Sequence, residues 1–363
     1  EAVALQTGRE SIVLLKNNNV LPIDKTSEVS ILLTGEYADK IPHGGGAAEV
    51  VGYAHVTMLT ALKDVYGEKV SYIENPTDED LKTASHVIYS TGTFDSEGWD
   101  KPFDLSEKIN ADIKHIASLN KNTIVSISSG SGVNMTEWND DIAGLLYSWY
   151  PGQIGFKGFA EIVAGITNPS AKLPITIEQK FEDSPGFGYI PEGKELYSGW
   201  DEDHRIIDPI IDVKYDEGIF VGYRWYENKK IEPLYAFGFG LSYTKYEYSN
   251  LFLENETIKA GEKLNLKIDI ANTGAVDGKE VVQVYIRDVE SSVERPLKEL
   301  KDFKKVNITA GEKQTVYFTL TDRDFAFWDA KTEDWKVEAG QFEILVGSAS
   351  NNILAKGLLE IVQ

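Results

Sequence analysis

The acidic residue in the best setting for acid–base chemistry is Glu97, within the segment Ser96-Glu-Gly-Trp-Asp-Lys101. The segment follows an apolar run at 86–91 that has the length of a buried strand. Aromatic neighbours such as Phe94 and Trp99 exclude water from a carboxyl group and favour its protonated form, which a general acid needs at neutral pH. This setting makes Glu97 a candidate for a general acid. The competing interpretation is a solvent-exposed turn glutamate.

Two further motifs were weighed for other chemistry. Gly44-Gly45-Gly46 invites a phosphate-binding interpretation, but the sequence contains no G-x-G-x-x-G and no P-loop, and Glu49 would repel phosphate. Ser128-Ser-Gly-Ser-Gly132 lacks the order of a nucleophile elbow. Nucleotide binding and serine-type hydrolysis are therefore disfavoured.

Composition removes other classes of function. The 363 residues include no Cys and carry a formal net charge of −22, so thiolate chemistry and disulfides are excluded and nucleic acid is a poor ligand. The five His show no metal-binding spacing, so we predict no metal and no cofactor. No apolar run reaches the ~20 residues that a membrane helix needs, which predicts a soluble protein without a membrane partner. The choice between cytoplasm and secretion stays open, as does homo-oligomerisation.

The first half of the chain alternates strand-like runs with helix-like segments, which is typical of a mostly parallel sheet with helices on both faces. Over 105–119, Ile109, Ile113 and Ile116 recur at helical spacing and predict one buried face. Thr57 is placed to cap the helix predicted at 57–65. The predicted strands are 29–35, 70–73, 86–91, 122–129, 142–149 and 173–177, and the predicted helices are 57–65, 78–83, 105–119 and 154–166.

The last third of the chain has a different period. Lys263–Ile270, Glu280–Ile286 and Gln314–Leu320 alternate apolar with polar residues between turn signals. This pattern predicts an all-β sandwich of about seven strands from residue 251 onward. Between the halves, periodicity fades from 183 to 211, which predicts a long loop.

Segments spread over the whole chain resemble one enzyme family when they are taken in order. They are Glu10–Asn17 with Leu21-Pro22, Gly44–Val50, Trp149–Gln153, Asn168–Pro174, Tyr215–Tyr226, Pro233–Tyr243, Asn272–Gly274, Gly278–Tyr285 and Arg295-Pro296 with Lys298–Leu300. This series is similar to the C-terminal portion of glycoside hydrolase family 3, the family of β-glucosidases and β-xylosidases.

The resemblance implies the fold class α/β, with a mostly parallel-sheet α/β sandwich domain at 1–215 that carries the acid/base loop. A linking segment at 216–250 packs across it, and a fibronectin type III-like (immunoglobulin-like) β-sandwich occupies 251–363. Family members place the nucleophilic Asp in a TIM barrel, in a motif of Ser-Asp-Trp type. That motif is absent here, because Gly199-Trp-Asp201 and Phe327-Trp-Asp329 have the wrong order. A barrel of about 250 residues does not fit beside the two domains.

The resemblance also assigns roles to individual residues. Glu97 matches the acid/base position of the family's Glu-Gly-x-Asp-Arg segment, with Lys101 where Arg is common. Gly45 and Gly46 are expected to line the mouth of the sugar site, and His43 to contact a sugar hydroxyl there. Trp99 is expected to stack on a sugar face. The alternatives are a plain tight turn for the glycines, an exposed loop position for His43 and core or interface packing for Trp99.

The predicted function is one part of a retaining, exo-acting β-glycosidase that hydrolyses terminal β-linked sugars. On this interpretation the partners are an oligosaccharide or glycoside substrate and a TIM barrel that supplies the nucleophile. The chain alone would be inactive, because a retaining enzyme needs two carboxyl groups about 5–5.5 Å apart. The alternative is a non-catalytic carbohydrate-binding or scaffolding module. The sequence does not distinguish a glucosidase from a xylosidase.

Overall fold

The computed structural model describes residues 1–49, 52, 54–97, 101–189 and 214–363. The chain forms two compact units, and each unit is assembled from three chain segments. Unit 1 comprises Glu1–Ala171, Ile177–Asp216 and Pro233–Tyr235, and unit 2 comprises Lys172–Thr176, Glu217–Glu232 and Ala236–Gln363. The chain therefore passes between the units five times. The predicted division at 215/216 and 250/251 stays a prediction.

Unit 1 contains a six-stranded sheet in the order β1-β6-β5-β4-β2-β3. Its strands are β1 (Val13–Asn17), β2 (Ile31–Thr34), β3 (Val70–Tyr72), β4 (His86–Gly92), β5 (Thr123–Ser128) and β6 (Gly144–Tyr147). All neighbouring pairs are parallel except β1 with β6. The strands β2, β5 and β6 are buried along their whole length, as expected for a parallel sheet covered on both faces. The predicted mostly parallel α/β fold is confirmed.

The described residues of unit 1 form five α-helices, and most begin at a side-chain cap. They are α1 (Ala2–Ser11), α2 (Met58–Tyr66), α3 (Asp78–Thr83), α4 (Glu107–Leu119) and α5 (Gly155–Val163). The predicted cap Thr57 accepts a hydrogen bond from the amide of Thr60, and Ser106 accepts one from Ile109. Helices α1 and α2 pack on α5, while α3 packs on α4, which gives two groups of helices.

The strand predicted at 173–177 is wrong. The segment joins no sheet. The amide of Leu173 donates to the Phe239 carbonyl and its carbonyl accepts from the Gly238 amide, while Ile177 and Tyr235 exchange two hydrogen bonds in an isolated bridge. Pro174 has no backbone N–H, so it cannot join a ladder in the middle of a sheet. The predicted loop at 183–211 lies mostly outside the described residues.

Unit 2 is a β-sandwich of a five-stranded sheet, β11-β10-β15-β16-β8, and a three-stranded sheet, β12-β9-β7, with a separate hairpin β13-β14. The elements are α6 (Tyr223–Lys229), β7 (Tyr246–Leu253), β8 (Thr257–Lys259), β9 (Leu264–Asn272), β10 (Gly278–Asp288), β11 (Glu299–Ile308), β12 (Lys313–Leu320), α7 (Asp322–Phe325), β13 (Phe327–Asp329), β14 (Asp334–Lys336), β15 (Gly340–Ala349) and β16 (Asn352–Val362). Alternating burial along β9 shows that one face of its sheet meets the core. The predicted β-sandwich is confirmed, with eight strands in its two sheets.

An acidic residue on the outer face of the three-stranded sheet accepts three hydrogen bonds from side chains. Asp269 on β9 accepts hydrogen bonds from Asn250 at 3.0 Å, Thr315 at 2.6 Å and Lys313 at 2.9 Å. These bonds hold the pKa of Asp269 well below its usual range, and the bond from Asn250 contributes most. A depressed pKa adds stability above the unfolded value, near 3.8, and this stability is lost as the pH falls through the folded value.

We expect Asp269→Asn to lower the melting temperature of the chain at pH 6 and to lower it less at pH 3. The reason is that the wild-type protein has by then begun to lose the contribution of the carboxylate. Thermal unfolding of both proteins at the two pH values measures this difference. Thr315→Val removes one donor and should give a smaller effect of the same sign. A difference in melting temperature that is independent of pH would contradict the assignment.

In the part of the chain that the structure describes, no helix is long and apolar enough to cross a membrane. The same residues contain no group of three or more His, Cys, Asp or Glu side chains that could hold a metal ion.

Candidate functional site

The predicted site residues lie on loops that leave the same edge of the unit 1 sheet. In a parallel sheet the carboxyl ends of the strands share one edge, and ligands bind at that edge in open α/β folds. The glycine-rich loop follows β2, and the loop that contains Glu97 follows β4. The loops after β5 and β6, with Gly130 and Tyr150, emerge beside them.

Glu97 itself is exposed at this edge. Its Cβ lies beside Gly46, where an added methyl group would come within 3.5 Å of it. Phe94, three residues earlier, keeps 58% of its surface exposed. The carboxyl group of Glu97 is therefore open to a molecule that approaches from outside unit 1.

The glycine-rich loop pairs with the loop of Glu97 through the main chain. The amide of Gly45 donates a 2.7 Å hydrogen bond to the Asp95 carbonyl, and Gly45 and Ser96 form a parallel bridge. A side chain at position 45 would meet the Phe94 ring at 2.6 Å, so the ring packs where glycine leaves space. Gly46 has φ of +61°, a backbone conformation that favours glycine. The structure thus brings Gly45, Gly46 and Glu97 together.

Of the two predicted sugar-contacting side chains, the structure describes His43 but not Trp99. The exposed His43 ring packs edge-on against Phe94 with 5.9 Å between ring centroids, and its Nδ1 lies 2.9 Å from the Gly44 carbonyl. His43 therefore borders the same surface as Glu97. Trp99 lies outside the described residues, and its stacking role stays a prediction.

The start of the Glu97 loop is fixed by Asp95. Its Oδ2 accepts a 2.6 Å hydrogen bond from the Gly130 amide, and its Oδ1 accepts one of 3.0 Å from the Thr93 hydroxyl. The Asp95 amide donates to the Tyr150 hydroxyl at 2.9 Å, which in turn donates to the Thr93 carbonyl at 3.1 Å. Burial raises the pKa of Tyr150 to about 12, so this hydroxyl keeps its proton at neutral pH.

The end of the same loop is fixed to the loop after β5. The Lys101 ammonium group donates a 3.1 Å hydrogen bond to the Gly132 carbonyl, and the Asn134 amide donates to the Phe103 carbonyl at 2.9 Å. Lysine at position 101 can hold this carbonyl through one ammonium group, although it lacks the planar fork of arginine. The segment that carries Glu97 is therefore anchored on both sides.

Sequence reasoning missed the residues that anchor this loop. Asp95, Thr93 and Gly130 showed no signal, because their contacts join loops more than 30 residues apart. Tyr150 lies in the segment Trp149–Gln153, which the resemblance marked as a landmark without a role.

The fold and the site can now be compared with known proteins. Residues 12–243 match the model of the glycosyl hydrolase family 3 C-terminal domain, and residues 280–350 match that of the fibronectin type III-like domain. The chain thus falls among the glycoside hydrolases by both fold and sequence. It belongs to glycoside hydrolase family 3, and the resemblance found in the sequence is confirmed.

The relatives of the chain are glycoside hydrolases. It is 36% identical to thermostable beta-glucosidase B of Acetivibrio thermocellus, over 98% of this chain and 47% of that protein. It is 32% identical to an exo-alpha-(1->6)-L-arabinopyranosidase of Bifidobacterium longum, over 97% of this chain and 48% of that protein. The solved structure of beta-glucosidase 3B from Thermotoga neapolitana in complex with glycerol matches with a TM-score of 0.87 and 29% identity, over 100% of this chain and 54% of that chain. The chain spans about half the length of the relatives that it matches.

Proposed function

We propose that this chain is the acid/base half of a retaining, exo-acting β-glycosidase of the β-glucosidase type, which releases terminal β-linked sugars. Glu97 is the general acid and base. A TIM barrel outside this sequence supplies the nucleophilic Asp and the pocket for the sugar that is cleaved. One observation carries the proposal: the exposed carboxyl group of Glu97 stands on a loop that is anchored on both sides, at the ligand-binding edge of the sheet.

Two carboxyl groups share the chemistry in this proposal. The carboxylate of the barrel's Asp forms a bond to the anomeric carbon while Glu97 gives its proton to the leaving glycosidic oxygen. Glu97, now ionised, then takes a proton from water as the water oxygen forms its bond to the anomeric carbon and the Asp carboxylate leaves. The exposed position of Glu97 agrees with this division, because a second domain must approach within about 5–5.5 Å.

The neighbours of Glu97 would bind the leaving-group side of the substrate. Gly46 presents exposed main chain without a side chain next to Glu97, which leaves room for a sugar ring, and Gly45, whose side-chain space is filled by Phe94, would line this surface through its main chain. His43 would donate to or accept from a sugar hydroxyl at the rim of this surface. Trp99 would stack on a sugar face.

The test uses the glycosidase in which this chain occurs together with its barrel. We expect Glu97→Gln to lower kcat/KM for a phenyl β-glucoside by about 10²–10⁴-fold, the usual contribution of a general acid. With a dinitrophenyl β-glucoside the loss should be far smaller, because this leaving group departs without protonation. The isolated 363-residue chain should turn over neither substrate.

Glu68→Gln is the matched control, since Glu68 is exposed just before β3 at the opposite edge of the same sheet. It should leave kcat/KM for both substrates unchanged. Turnover by the isolated chain would overturn the shared active site. Equal losses on both substrates for Glu97→Gln would remove its acid/base role and favour the non-catalytic carbohydrate-binding or scaffolding module.

A further inference from the structure

Asp95 holds three neighbouring loops at the point where the Glu97 loop begins. Its main-chain carbonyl receives the Gly45 amide, its own amide donates to Tyr150, and its carboxylate receives the Gly130 amide. These partners belong to the loops after β2, β6 and β5. Asp95 is thus the residue at which the loops after β2, β4, β5 and β6 meet.

The carboxylate of Asp95 is hydrogen-bonded within the protein. Both of its oxygens accept hydrogen bonds, one from a main-chain amide at 2.6 Å and one from the Thr93 hydroxyl at 3.0 Å. A hydrogen bond from an amide to an ionised carboxylate is roughly twice as strong as one between neutral groups. The side chain is therefore suited to fixing main chain and not to exchanging protons with a substrate.

Position 130 is shaped for this contact. A methyl group added to Gly130 would lie 2.7 Å from the Asp95 Oδ2 and 3.2 Å from the Tyr150 ring. Gly130 is exposed and its φ is not positive, so alanine meets no backbone strain there. The glycine is explained by the approach of the Asp95 carboxylate and the Tyr150 ring.

We infer that Asp95 is a positioning residue that holds the Glu97 carboxyl group in line with the glycosidic oxygen. The inference rests on the proposed role of Glu97, two residues along the chain. A general acid must lie about 2.6–3.2 Å from the atom that it protonates, and a displacement of 1 Å can lower the rate by about 10²-fold. Loss of the two carboxylate bonds frees the start of the loop from Gly130 and the Thr93 hydroxyl, while the main-chain bonds of residue 95 and the anchors at Lys101 and Phe103 persist.

The experiment compares Asp95→Ala, Asp95→Asn and Gly130→Ala in the complete glycosidase, with phenyl and dinitrophenyl β-glucosides. We expect Asp95→Ala to lower kcat/KM for the phenyl glucoside by about 10²-fold and to leave the dinitrophenyl glucoside nearly unchanged. Asp95→Asn keeps one acceptor oxygen and should recover part of the loss. Gly130→Ala displaces an unaltered Asp95 and should show the same dependence on leaving group.

A general loss of folding would lower the rate with both substrates equally, so the ratio of the two rates identifies a positioning effect. Gly186→Ala is the control for the added methyl group, because it would meet nothing closer than 3.7 Å. If Glu97→Gln shows the dependence on leaving group while Asp95→Ala and Gly130→Ala do not, the inference is overturned and the proposed function stands. If the rate loss of Glu97→Gln also does not depend on the leaving group, the inference about Asp95 and the proposed function are both overturned.

Discussion

Lys172→Met should lower the free energy of unfolding of unit 2 by about 3–5 kcal/mol at pH 7, the usual effect of leaving a buried charge without its partner. The Lys172 ammonium group lies 3.3 Å from a Glu280 carboxylate oxygen, and both side chains are largely buried, with 12% and 4% of their surface exposed. Denaturant unfolding of the chain, followed by tryptophan fluorescence, measures the loss.

The surroundings of this pair explain the expected size. Lys172 also donates to the Gly240 carbonyl at 2.9 Å, and the Tyr248 hydroxyl donates to Glu280 at 3.1 Å. Burial raises the pKa of Glu280, and the neighbouring Lys172 opposes that rise. Without Lys172, the carboxyl group must fold either ionised and unpaired or protonated.

The raised pKa of Glu280 determines how the stability loss of Lys172→Met depends on pH. A carboxyl group whose folded pKa lies above its unfolded value, near 4.5, stabilises the fold below that value and loses the contribution as the pH rises through the folded pKa. The deficit of Lys172→Met should therefore be smaller at pH 4 than at pH 7. The double variant Lys172→Met with Glu280→Gln removes both charges and should recover most of the stability. A deficit below about 1 kcal/mol for the single variant would show that the pair is effectively solvated.

Gly92→Ala should lower the stability of unit 1 by about 3 kcal/mol or more, the upper range for overpacking in a core. Gly92 ends β4 and pairs with Ser128 on β5. An added methyl group would lie 1.8 Å from the Ser128 carbonyl oxygen, which is part of the main chain and cannot rotate away. The 2.9 Å bond from the Thr93 amide to the same oxygen would be disrupted.

Gly132→Ala is the stability control for this change. It lies in the loop after β5, where the nearest atom to an added methyl group is 3.6 Å away. Its effect should stay within about 0.5 kcal/mol. Thermal and denaturant unfolding of the two alanine variants gives the comparison, and equal stabilities would mean that β4 and β5 separate at their ends without loss.

Most of the secondary structure of unit 1 was predictable because its signals are local, although helix α1 and strand β1 were not predicted. Apolar runs gave the parallel strands, and the spacing of Ile113 and Ile116 gave the buried face of α4. The segment 173–177 failed because an apolar run predicts burial without saying what it pairs with. Its partners, Phe239 and Tyr235, lie about 60 residues further along the chain.

The site was predictable only in part for the same reason. The place of Glu97 at the sheet edge followed from the end of β4, while its acid/base role stays a prediction. The anchoring by Asp95 was not predictable, because a polar loop residue carries no periodic signal and its partners are set by the tertiary fold.

The five passages of the chain between its two units limit how evolution and protein engineering can recombine them. A gene fragment that begins at residue 251 would encode most of the β-sandwich but would leave Lys172 behind. The fragment would then carry a buried Glu280 without its cation. Exchange of this β-sandwich between enzymes therefore requires either that the short segment Lys172–Thr176 be inherited with it or that the charge of Glu280 be removed as well.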